Sequence, residues 1–97
     1  METVKEEKGS QIIFHLPERL DTLTAGEFEK QLDSTPPDTF DELIIDMTET
    51  VYISSIGLRL IMMISKKYGE KLILRNVSDD CRAIFRAMGL MDLFVIQ

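Results

Sequence analysis

Apolar positions along this chain alternate between two periods. From Gln11 to Leu16 they repeat every second residue, with Ile12, Phe14 and Leu16 on one face and Ile13 and His15 on the other. That is the period of a strand. Thr3 to Lys8 reads as an edge strand paired to it through the turn residues Gly9 and Ser10. Leu43 to Met47 is an apolar run that fits a central strand covered on both faces. Leu72, Ile73 and Leu74 make a second such run, and Leu93 to Ile96 fits a last short strand or turn.

Between these runs the period becomes helical. Thr24 and Glu27 stand at capping-box spacing, which starts a helix at Ala25, with Phe28 and Leu32 facing the core. Ser34-Thr35-Pro36-Pro37-Asp38 ends it, because proline cannot continue a helix. Gly57 opens a strongly apolar helical segment, Leu58 to Tyr68. Ser78 caps a third helix, with Asp79 and Asp80 in its first turn, where carboxylates suit the helix dipole. Cys81, Ile84, Phe85 and Met88 form its apolar stripe, and Gly89 ends it. Strands alternating with helices over 97 residues predict a single α/β domain, residues 1–97, with a mixed sheet flanked by helices.

The junction between the central strand and the second helix carries the chain's most specific chemistry. It reads Asp46-Met47-Thr48-Glu49-Thr50-Val51-Tyr52-Ile53-Ser54-Ser55-Ile56-Gly57-Leu58-Arg59. Adjacent hydroxyls at a helix start either cap free N–H groups or present a place for a phosphate. On physical grounds alone Ser54 and Ser55 read as caps. Projected at 100° per residue, the following helix gathers Ile61, Ile64 and Tyr68 on one side and Arg59, Lys66 and Glu70 on the other. Met63 falls within the polar side and Met62 at its margin. Methionines there read as an adaptable contact patch continuous with the serines.

A net charge of -6 disfavours nucleic acid and anionic membranes as partners and favours a basic protein patch. No apolar run approaches membrane-spanning length, so direct membrane insertion is not expected. One cysteine, Cys81, and no leader at the N-terminus fit a cytoplasmic chain. Asp21 and Asp46 lack further ligands at metal spacing, His15 has no arguable nucleophile partner, and Gly57, Gly69 and Gly89 form no phosphate-cradling loop. No metal, cofactor or enzymatic activity is expected.

Taken together these stretches resemble the STAS domain of the bacterial anti-sigma factor antagonist type. Arg19-Leu20-Asp21 before the first helix, the junction above, Leu72 to Ser78, and Met88 to Phe94 follow the family's order and spacing. The resemblance implies a protein that binds an anti-sigma factor, itself a serine kinase, and so releases a sigma factor. The kinase phosphorylates a serine in the signature loop, and a phosphatase reverses this. The usual acceptor immediately before the glycine is Ile56 here, and Ser54 replaces the usual aspartate. Ser55 is then the first phosphoacceptor candidate and Ser54 the second, as in family members with Ser-Ser-Ala-Gly at this place. Asp21 and Gly57 belong to the signature-loop region, and Arg59, Met62, Met63 and Lys66 to the partner-binding patch. The same family also implies an alternative, a non-phosphorylated accessory subunit of a membrane transport complex.

Overall fold

The charged segment Val4–Lys8 (β1) pairs antiparallel with the alternating segment Gln11–His15 (β2), Val4 opposite His15 and Lys8 opposite Gln11. Gly9 supplies the positive φ of 63° that the turn needs. Lys5, Glu6, Glu7 and Lys8 are all exposed, which keeps this edge from recruiting another strand. Glu42–Asp46 (β4), Leu72–Arg75 (β6) and Val95–Ile96 (β7) then add in parallel, giving the order β1-β2-β4-β6-β7. β4 is central, as its apolar run predicts. Arg19–Leu20 (β3) and Tyr52–Ile53 (β5) form a separate two-stranded parallel ribbon. This computed structural model describes residues 3–36, 38, 40–92 and 95–97. Pro37, Leu93 and Phe94, invoked above, lie outside the described residues.

The helices are Thr22–Asp33 (α1), Ser55–Tyr68 (α2) and Asp79–Ala87 (α3), with a 3₁₀ turn at Gly69–Lys71. All three helices send buried side chains into one cluster with the sheet face formed by Ile12, Phe14, Leu43, Ile45, Leu72 and Leu74. Phe14 meets Phe28 of α1 at a centroid distance of 5.1 Å. The opposite face carries a separate buried row, Ile13, Ile44 and Ile73, aligned across β2, β4 and β6. The fold is thus the mixed α/β sheet with flanking helices that the alternation predicts.

Two helix ends differ from expectation. α1 begins at Thr22 rather than Ala25, because Asp21, not Thr24, is its cap. The Thr24 N–H donates to Asp21 Oδ1 at 3.2 Å, and the Asp21 N–H donates to Thr24 Oγ1 at 2.9 Å. The reciprocal box exists, displaced by one turn. α3 stops at Ala87, so Met88 leaves the apolar stripe and is exposed, and Gly89 follows at a φ of 71°.

On the face of the isoleucine row, β4 ends in Asp46, aligned with His15 and Arg75. Arg75 Nη2 lies 3.0 Å and His15 Nδ1 3.5 Å from Asp46 Oδ2. The Thr48 backbone N–H donates to Oδ1 at 2.9 Å, and the Thr48 hydroxyl donates to it as well. Burial pushes this carboxyl up, but the Thr48 hydroxyl and N–H and the Arg75 guanidinium outweigh it, and its pKa falls from 3.8 to about 2. The fold therefore favours the ionised form. The resulting stability is fully present above pH 3.8 and is lost as pH falls toward 2. Its size is about 2 kcal/mol, from about 1.4 kcal/mol per pH unit. Asp46→Asn is expected to lose roughly that much stability at pH 7. The gap to the parent should narrow between pH 4 and pH 2 in denaturant melts followed by circular dichroism.

Candidate functional site

Three parallel strands end at one edge of the sheet, and each feeds a helix. β2 leads through β3 into α1, β4 through β5 into α2, and β6 directly into α3. The helix N-termini gather at that edge, each capped by a side chain: Asp21, Ser54 and Ser78. The Thr24 backbone N–H bonded to Asp21 holds that carboxyl below its ordinary pKa. Asp21 therefore works as a cap, with Arg19 Nε 3.9 Å away.

The loop between β4 and β5 is pinned through Thr50, which is fully buried. Its hydroxyl donates to the Pro17 carbonyl at 2.8 Å. Its own carbonyl accepts from Ser78 Oγ at 3.1 Å and Cys81 Sγ at 3.4 Å. Burial raises the Cys81 thiol's pKa, which makes it a packing group rather than a nucleophile. The Val51 N–H donates to Glu18 and the Ser54 N–H to Leu20, both at 2.9 Å. Arg19 lies over the Tyr52 ring at 4.4 Å. His15, in the row of Asp46 and Arg75, also has its Nε2 2.9 Å from Glu6 Oε1.

The two serines do different things. Ser54 Oγ accepts the Gly57 N–H at 3.1 Å and is the cap. Ser55 is the first helical residue and is exposed. α2 thus starts at Ser55 rather than Leu58, and Gly57 is its third residue rather than its opening. A Cβ on Gly57 would stand 2.7 Å from the Leu20 carbonyl oxygen and 3.0 Å from Ile53 Cγ2. Glycine is needed there for close approach, not for an unusual φ.

Along α2, Ile61, Ile64 and Tyr68 are buried, while Arg59, Met63 and Lys66 are exposed and Met62 is half-buried. Ile56 is 46% exposed and Met63 53% exposed. They lie seven residues apart, two turns along one side of the helix. Ile56 therefore joins the contact strip, beyond the patch of Arg59, Met62, Met63 and Lys66 expected from the sequence. Its signal was the same spacing from Met63. Beside this side of α2 runs an open groove against α1. Its wider part holds about 380 Å³ between Leu32 of α1 and Leu60, Ile64 and Tyr68 of α2. Glu29 and Asp33 edge it from α1, Lys66 and Lys67 from α2. A narrower part of about 290 Å³ continues past Gly26 to Ile56 and Arg59, and shares Glu29, Leu60 and Met63 with the first. The acidic wall belongs to α1 and was not foreseen as part of the patch.

Among the described residues no helix is long and apolar enough to cross a membrane, and no group of three or more His, Cys, Asp or Glu side chains is placed to hold a metal ion.

The STAS-domain family model matches residues 2–97. No curated protein matches the sequence. Among solved structures, the chain is similar to an anti-sigma factor antagonist from Mycobacterium paratuberculosis, with 20% identity, a TM-score of 0.84, and coverage of 97% of this chain and 82% of that one. It is similar to the anti-sigma factor antagonist SpoIIAA in its unphosphorylated form, with 16% identity, a TM-score of 0.80, and coverage of 98% and 87%. A sulfate transporter family protein from Wolinella succinogenes shares the fold at 15% identity and a TM-score of 0.72, with coverage of 92% and 78%.

The contact at Gly57 yields a test of this geometry. Gly57→Ala forces a Cβ onto a backbone oxygen, and overpacking of this kind costs about 1–3 kcal/mol. Thermal melts should show that loss. Amide NMR shifts should concentrate at Leu20 and at Ser54 to Leu58. A variant as stable as the parent with an unchanged spectrum would contradict the close approach.

Proposed function

This chain belongs to the STAS-domain family, and we propose that it is an anti-sigma factor antagonist, a non-enzymatic cytoplasmic module that binds an anti-sigma factor and so releases a sigma factor. The observation that carries this reading is the exposed strip on α2, where Ile56 and Met63 alternate with Arg59 and Lys66 directly beyond Ser55. Exposed apolar groups interspersed with basic ones suit a protein interface better than plain solvent. α2 contains Arg59, Lys66 and Lys67 and no carboxylate, although the chain as a whole carries a net charge of -6. The complementary partner surface is apolar with acidic groups. Likeness of fold to two anti-sigma factor antagonists supports the same reading.

Regulation follows from the division of labour between the serines. We propose Ser55 as the acceptor when the partner is a serine kinase, with Ser54 second, and a phosphatase as the restoring enzyme. Ser55 is exposed, whereas Ser54 Oγ is engaged with the Gly57 N–H. A phosphate on Ser55 carries about −1.5 to −2 charge at pH 7. The helix N-terminus tolerates that charge, and Arg59, one turn on, faces it. The partner's acidic groups are repelled by it.

One observation favours the second reading, an accessory subunit of a membrane transport complex. Ile56 occupies the usual acceptor position, and the fold is also that of a sulfate transporter family protein. In that setting the strip docks without a phosphate switch.

Met63→Glu is expected to weaken partner binding about tenfold or more while shifting the melting temperature little, because the side chain is largely solvated. Calorimetry against a purified anti-sigma factor from the same host measures the first and scanning fluorimetry the second. A large fall in melting temperature would place Met63 in the core instead.

Ser55→Asp should keep the fold and lose the partner, and Ser55→Ala should bind regardless of ATP. Phosphosite mapping after incubation with partner and ATP provides the check. Full binding by Ser55→Asp, with no phosphate on either serine, would leave a constitutive binding module.

A further inference from the structure

We propose that the groove between α1 and α2 seats an amphipathic helix of the partner, with basic residues along one flank and acidic residues along the other. This rests on the reading of α2 as the partner-binding helix and names what the partner brings to it.

Gly26 gives one reason. It sits inside α1, where glycine lowers helix stability relative to alanine. Nothing among the described residues requires it: a Cβ built at Gly26 meets no atom of them within 4 Å. Yet Gly26 lines the groove, opposite Ile56 and Met63. A missing side chain that frees no space for the protein itself leaves space for another backbone, the role small residues play where helices pack closely.

Tyr68 closes one end of the groove's floor. Only 5% of this residue is exposed, and it lines the wider end of the groove. Its hydroxyl is buried and has no hydrogen-bond partner among the described residues. Buried hydroxyls are normally paired, and one left unpaired is destabilising.

Charge and length commit the occupant. Glu29 and Asp33 stand on one wall, Lys66 and Lys67 on the other, over an apolar floor that includes Leu32 and Leu60. Walls of opposite sign disfavour a uniformly charged ligand and match a helix with one basic and one acidic flank. From Ile56 to Tyr68, α2 runs roughly 18 Å at 1.5 Å per residue, enough for about three turns of a docked helix. Recognition of a helix by an apolar groove uses anchors at i, i+3, i+4 and i+7.

The experiment uses synthetic helical peptides of roughly fourteen residues. Each carries leucine anchors at that spacing. One has a Lys flank and a Glu flank, a second has Lys on both, a third has Glu on both. Fluorescence anisotropy with the full chain should show the two-signed peptide binding at least about tenfold tighter than either uniform one, whichever way round it lies. Gly26→Leu should abolish that preference and weaken binding about tenfold or more, while melting no lower than the parent because a better helix former replaces glycine. Tyr68→Phe should leave peptide binding unchanged without loss of melting temperature, since it removes an unpaired buried hydroxyl that no docked group reaches. Equal binding of all three peptides, or unchanged binding by Gly26→Leu, would overturn the proposal. The anti-sigma factor separates the two readings. If Met63→Glu abolishes its binding and Gly26→Leu does not, the groove fails and the partner-binding reading stands. If the two-signed peptide binds with the predicted sensitivities and the anti-sigma factor does not bind at all, the groove stands and the named partner fails.

Discussion

The carbonyl of Leu20 constrains everything built around the signature loop. It accepts the Ser54 N–H at 2.9 Å, and it lies where a Gly57 side chain would have to go. A single backbone oxygen thereby joins the end of the β3–β5 ribbon to the first turn of α2. The hydrogen bond requires the loop to come close, and the closeness requires residue 57 to lack a side chain. With Gly57 pressed inward, Ser55 and Ile56 are left facing outward at the first helical turn. The presentation of the exposed strip is a consequence of that contact.

Thr50 and Asp46 hold the rest of the loop against the ends of the sheet. Thr50 joins Pro17, Ser78 and Cys81 through its hydroxyl and carbonyl, and so ties the connections before α1, α2 and α3 to one another. Asp46 ties Thr48 and Arg75 through its carboxylate. Both are buried polar groups whose partners are supplied from several elements, which rigidifies this end of the sheet.

Charge is distributed unevenly. The chain carries a net charge of -6, yet α2 contains only basic charges and α1 presents Glu29 and Asp33 across the groove. Total charge therefore describes the long-range field, whereas the local field along the groove is set by the alternation of basic, apolar and acidic positions. The phosphate proposed for Ser55 would fall beside this strip. There the helix dipole accommodates the charge, so the switch proposed for Ser55 would act on binding rather than on folding.

Much of this was legible in the sequence because it depends on local periodicity. The run at Leu43 to Met47, the alternation at Gln11 to Leu16 and the wheel of α2 are properties of neighbouring residues, and burial follows them. The serine pair before a glycine was equally visible. Tertiary structure decided what depends on distant backbone. Only the folded chain brings Leu20 against Gly57, which turns a presumed helix opening into a packing contact and moves the start of α2 to Ser55. Only it makes Asp21 the cap of α1, because Thr24 can fill either role in a reciprocal box and the entry from β3 determines which. The groove, with Gly26, Tyr68 and walls of opposite sign, belongs to neither helix alone. Periodicity specifies which face of a helix is apolar, but the angle and spacing at which two helices meet are set by the sheet beneath them.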